Sequence, residues 1–95
     1  MNLYRNVELL IEDSDPRRAR RAHEVELIEY EVEGDRILAR TRSRSFRHVT
    51  YKVVVEVADR MHNCECPDGR GGFRCKHVLA TLFEFRRINR GKENQ

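Results

Sequence analysis

The stretch CECPDGRGGFRCKHVLATLFEF, residues 64–85, decides how the rest of the chain reads. It holds all three cysteines of the protein, Cys64, Cys66 and Cys75, and adds His77 in the spacing C-x-C-x8-C-x-H. Three thiolates and one imidazole make the closed four-ligand set that a structural Zn²⁺ takes. Alternate residues of a strand point to the same side, so Cys64 and Cys66 can grip one ion from the end of a strand. Positions i and i+2 of a helix diverge by about 200°. Cys75 is therefore expected just before a helix, with His77 in its first turn. A redox C-x-C pair or three buried thiols would use the cysteines but not this four-residue spacing. A mixed Cys₃His set favours zinc over other soft-ligand metals. Of the other histidines, His23, His48 and His62, only His62 lies where it could compete, on the ligand face of an ideal strand.

With C-x-C-P-D, a glycine-bearing loop, and C-K-H leading into an apolar helix, the segment resembles the SWIM-type zinc finger. That pattern also has an alternating strand just upstream, which Val49 to Val57 supplies. The resemblance covers residues 48–88 and implies one zinc ion on Cys64, Cys66, Cys75 and His77. Such fingers occur in transposases, Swi/Snf-type ATPases, ubiquitin ligases and recombination accessory proteins. The resemblance thus implies binding to DNA or another nucleic acid, or to a protein such as a recombinase paralogue.

A chain of 95 residues is expected to form one domain. At this size only about 60–65% of the unfolded surface is buried, so a metal that binds the folded state is a useful supplement to the core. Charged residues make up 37% and tryptophan is absent. The first residues, MNLYRNVELLIEDSD, lack a basic start followed by a long apolar run, and no stretch has the ~18 apolar residues of a membrane span. An intracellular, cytoplasmic, reducing location is expected, where thiols stay available for metal.

Residues 1–35 hold ten acids and five bases, a net −5, whereas residues 36–95 hold fourteen bases and six acids, a net +8. Sixteen of the nineteen cations are arginine, which suits bidentate phosphate contacts but also follows from a GC-rich genome.

Outward from the finger, an α+β fold is expected: one or two N-terminal helices, an antiparallel meander of three to four strands, and a zinc-clamped C-terminal helix. Leu3, Tyr4, Val7, Leu10 and Ile11 recur at helical spacing, predicting a helix over 3–12, with a strand over 7–11 as the alternative. Its stripe is too small to be a core by itself and suggests an interface. Asp15 and Pro16 are an N-cap and a first helical residue, opening a helix to about residue 24. Residues 1–24 then form an N-terminal helical segment and 25–90 the sheet with its finger. Val25 to Glu33 reads as a strand whose alternation slips at Leu27-Ile28, which suggests a bulge or burial on both faces. Gly34-Asp35 is a two-residue hairpin turn, with Ile37 to Ser43 returning. His48 to Val57 alternates most clearly, and Met61 to Cys66 is expected as a short strand carrying two ligands. Val78, Leu79, Leu82 and Phe85, with Phe83 and Ile88, form the stripe of a helix from Cys75 to Ile88. Residues 91–95 are expected as a disordered tail.

The closed ligand set leaves no open coordination position for catalysis, so a non-enzymatic role is expected. For nucleic acid, the candidates are Arg40, Arg42, Arg44, Arg47 and Lys52 on one sheet face, and Arg70, Arg74 and Lys76 near the metal. Cross-strand partners Glu29, Glu31 and Glu33 would neutralise much of that stripe. Phe46 and Phe73 are the stacking candidates. The alternative is a protein-interaction adaptor, such as an accessory subunit in a recombination or repair complex. Its acidic N-terminal third would dock a basic partner. An exposed edge strand leaves a homodimer open.

Overall fold

The computed structural model describes residues 2–44 and 47–90. The expected tail, 91–95, and the candidate stacking residue Phe46 lie outside them.

Helix α1 (Leu3–Glu12) begins at Asn2, whose side chain accepts the Arg5 N–H at 3.0 Å. Helix α2 (Pro16–Arg21) begins at Asp15, which accepts the Arg17 N–H at 2.9 Å, with Pro16 at the first helical position. Instead of continuing as α-helix to residue 24, it tightens into a 3₁₀ turn over Ala22–Glu24. That turn leads into β1 (Val25–Glu33), β2 (Arg36–Ser43), β3 (Thr50–Glu56) and β4 (Met61–Cys64), an antiparallel meander in the order β1-β2-β3-β4. The slip at Leu27-Ile28 is a register shift: Leu27 faces Thr41 and Glu29 faces Arg40, so Ile28 is extra. Gly34 turns the first hairpin at φ 61°, where a Cβ would be strained.

The sheet alternates as a half-buried antiparallel sheet should. Ile37, Ala39, Thr41 and Ser43 of β2 and Val53 and Val55 of β3 point inward and are buried, as is Val57 just beyond β3. The long helix α4 (Lys76–Asn89) lies across this face and packs on all four strands and on α1 and α2. Its inward residues Val78, Leu79, Leu82 and Phe85 are buried, with Phe83 partly so, whereas Ile88 is 41% exposed. The expected stripe thus stops one turn early, because α4 ends beyond the core.

The apolar stripe of α1 is not a free interface. Val7 (0% exposed) and Leu10 (3%) are part of the core, with Leu3, Tyr4 and Ile11 packed against it. Two polar anchors hold the helix there. The Asn6 side-chain amide donates to the Val57 carbonyl at 3.1 Å, and Arg74 Nη1 donates to the Leu10 carbonyl at 2.9 Å. No helix among the described residues is long and apolar enough to cross a membrane.

Truncating a buried leucine removes transfer energy and leaves a cavity. Leu10→Ala should therefore lower the unfolding free energy of the zinc-loaded protein by about 2–5 kcal/mol, read by chemical denaturation. An unchanged midpoint would mean that α1 is not part of the core.

Candidate metal centre

Three elements of the chain converge on one point. Cys64 is the last residue of β4 and faces inward opposite Val53. Cys66 is not on the strand, as the spacing suggested. Pairing stops at Cys64, and Cys66 instead caps a one-turn helix, α3 (Pro67–Arg70), with Pro67 in the first position. The Gly69 N–H donates to Cys66 Sγ at 3.2 Å. This turn returns the chain so tightly that a Cβ on Gly69 would lie 2.6 Å from the Cys64 carbonyl oxygen and 2.7 Å from its Cβ. Glycine is required there by close approach to backbone. Gly72, at φ 89°, completes the reversal. Cys75 then caps α4 in an extended conformation, φ −76° and ψ 173°, and His77 lies in the first turn.

The ligand atoms of Cys64, Cys66, Cys75 and His77 all lie within 4.8 Å of one another, and all four residues are buried. Cys75 Sγ and His77 Nδ1 are 3.8 Å apart. Metal–ligand bonds of about 2.3 Å to sulfur and 2.0 Å to nitrogen put tetrahedral neighbours at about this separation. The donor set therefore fits a tetrahedral zinc ion. His77 is oriented by its backbone and packing: its carbonyl accepts the Thr81 hydroxyl at 2.9 Å, and its ring lies 5.0 Å from that of Tyr51. Its Nε2 is buried without a hydrogen-bond partner. His62 faces inward on β4 opposite Val55, but the four donors come together without it.

The thiols are unequal. The Cys64 thiol donates toward Cys75, which with burial raises Cys64 above its usual value. Burial likewise raises Cys66. Cys75 is pulled down to about 4, by the Cys64 thiol first, then by His77 and the Val78 N–H at the start of α4. Charge collects at the helix N-terminus, where the dipole favours an anion.

Around the ligands runs a second set of contacts that the sequence did not disclose. Arg18 of α2 forms a bidentate pair with Asp68 of α3, Nε to Oδ2 and Nη2 to Oδ1 both at 2.8 Å, and also reaches Asp15 at 3.0 Å. Its guanidinium sits 4.5 Å over the Phe73 ring. This holds the Asp68 carboxyl below the usual range and straps the metal loop to α2. Asp68 does more than make a turn, but fifty residues separate the partners and no local signal links them. The strap forms one wall of a cleft of about 550 Å³ beside Cys66, Cys75 and His77, into which Arg17, Arg21 and Lys76 also face.

The cationic candidates do not share one surface. Arg40, Arg42 and Lys52 lie on the outer sheet face, where Arg40 donates to the Thr50 hydroxyl at 3.3 Å and Arg42 pairs with Glu26 at 3.5 Å. Arg47 also pairs with Glu26, at 3.3 Å. Glu29, Glu31 and Glu33 occupy the adjoining strand. Arg74 is largely buried and ties the metal loop to α1, and Lys76 pairs with Glu24 at 3.5 Å. Arg44 and Arg70 are exposed and in no ion pair among the described residues.

Two outcomes check the site. Thiolates must shed protons to bind zinc, and Cys75 alone is already low. Zinc affinity should therefore rise between about pH 7 and about pH 8, and a competition titration showing no pH dependence would refute thiolate ligation. Gly69→Ala should cost about 2 kcal/mol or more of stability and weaken zinc retention against a chelator, because backbone must shift. Unchanged melting and retention would show that the turn is not tight.

No curated protein and no solved structure matches the chain significantly. Residues 51–85 match the family model of the SWIM zinc finger, a span that runs from β3 to α4 and contains every ligand. The convergent Cys₃His set and that match together show a SWIM zinc finger holding one zinc ion.

Proposed function

We propose that this protein is a non-catalytic nucleic-acid-binding module whose zinc is structural and whose contact surface runs along α2. One observation carries the reading. Arg17, Arg20 and Arg21 of α2 are exposed and in no ion pair among the described residues, unlike Arg36, Arg42 and Arg47, which are matched by glutamates. The fourth arginine of the helix, Arg18, is used internally, which holds α2 in place and directs its neighbours outward.

The same edge continues on both sides. The three α2 arginines share a shallow cleft with Glu24. Beyond the 3₁₀ turn, a second cleft is lined by His23, Arg44, Arg86 and Arg90 together with Glu26 and the Arg87–Glu84 pair. Toward the zinc, Arg17 and Arg21 share the 550 Å³ cleft with Lys76, and the Phe73 ring is 53% exposed beside Arg18. A run of unmatched guanidiniums with one accessible aromatic ring suits a phosphate backbone and an unstacked base. Because the four ligands are buried and three thiolates leave the Zn²⁺ site at a net −1, zinc supplies rigidity here and makes no contact with the nucleic acid.

The test compares two variants on random-sequence DNA, single- and double-stranded, at about 50 mM and 200 mM salt. Arg17→Ala, Arg20→Ala and Arg21→Ala together should weaken binding at both salts. They should also reduce the log–log salt slope by about 2–3, one phosphate contact for each arginine. Arg40→Ala with Arg42→Ala should change the slope by less than about one. If the α2 variant binds with the wild-type slope, α2 is not the contact surface.

A further inference from the structure

A row of unpaired acids lies on β1. Strand β1 is an edge of the sheet, so one side of its backbone has no partner strand among the described residues. At nine residues it is much longer than the other edge, β4, which has four. Past the bulge at Ile28 its pairing with β2 is regular from Glu29 to Glu33. Natural edges are usually blunted by shortness, lysine, proline or bulges. In this five-residue stretch the device is charge alone, three glutamates, which repel an acidic strand or a second copy but attract a basic one.

Its two faces are both incomplete. On the outer face Glu29, Glu31 and Glu33 recur at every second residue, all exposed and in no ion pair among the described residues. Their cross-strand neighbours are turned elsewhere: Arg40 donates to Thr50, and Arg36 pairs with Glu56 at 3.0 Å. On the other face Val32 is 42% exposed, and Tyr30 Oη is buried with no hydrogen-bond partner. The end of α4 adds Ile88, 41% exposed.

We propose that the Glu29–Glu33 edge of β1 is a docking strand for an extended basic segment of another protein, which joins the sheet beside β1. Lysines or arginines at alternate positions would face the three glutamates, and apolar residues between them would cover Val32. Backbone hydrogen bonds supply affinity in such strand addition, and the alternating side chains supply selectivity. The charge also decides against a second copy of this chain. Pairing β1 with its twin would set two rows of glutamates side by side, and like charges across a strand pair are destabilising. The surface is distinct from the α2 edge, so the two can be occupied together or fail separately.

The probe is a synthetic peptide of about nine residues alternating lysine and valine, of the kind that strand addition accepts. It should bind the zinc-loaded protein, and hydrogen exchange should show new protection at the β1 amides. Glu29→Gln, Glu31→Gln and Glu33→Gln together should weaken binding about tenfold or more and flatten its salt dependence, with zinc content and melting unchanged. The same peptide N-methylated at every second residue should not bind, since it keeps the charge but cannot pair. Equal binding of the N-methylated peptide, binding without β1 protection, or no binding would overturn the proposal. So would a dimer in sedimentation whose β1 amides are protected without peptide.

Discussion

Three thiols and an imidazole enclosed within 4.8 Å of one another are an arrangement that burial alone disfavours. The hydrogen bond to Cys75 and burial raise Cys64, burial raises Cys66, and the Cys64 thiol draws negative charge onto Cys75, so the group becomes stable as a unit when a divalent cation offsets most of that charge. The rest of the structure depends on that balance. Zinc joins the end of β4, the cap of α3 and the cap of α4, and so closes the sheet against the helix that covers it. Structural zinc supplies apparent binding energies on the order of 10 kcal/mol, as much as the whole net stability of many small domains. A core built mainly from valines, Ile37, Leu79, Leu82 and two residues of α1 is sufficient with that addition.

The clamp also explains where glycine and arginine are used structurally. Gly69 admits the Cys64 carbonyl, and only that approach brings Cys66 beside Cys64 after the strand has ended. Arg18 then holds α3 from outside through Asp68 and Phe73, and Arg74 holds the same loop to α1. Two of the cations nearest the metal are therefore parts of the scaffold. Their neighbours on α2 are left outward, in no ion pair among the described residues.

Charge is segregated in space more sharply than along the chain. The sequence divides into an acidic first third and a basic remainder, yet α2, which belongs to the acidic part, bears the unmatched arginines. The arginines of β2 are absorbed by Glu26, Glu56 and Thr50. The result is a molecule with a cationic helix edge on one border and an anionic strand edge on another. Both proposed contacts, a nucleic acid at α2 and a basic strand at β1, rest on these unpaired charges.

The sequence by itself determined the ligand set, because Cys₃His chemistry at this spacing has few other uses. It also determined the Gly34 turn and the alternation of β3, because each is a local preference or a period, and it offered α1 and the bulge at Ile28 each beside one alternative. Tertiary structure decided what local rules cannot weigh. Cys66 left the strand because Gly69 folds back onto Cys64, and α1 became core because Val7 and Leu10 found α4 and the sheet to pack against. Ion pairs across tens of residues decided which arginines remain free. Coulomb attraction depends on distance in space, and only the folded chain brings Arg18 to Asp68 and Arg42 to Glu26.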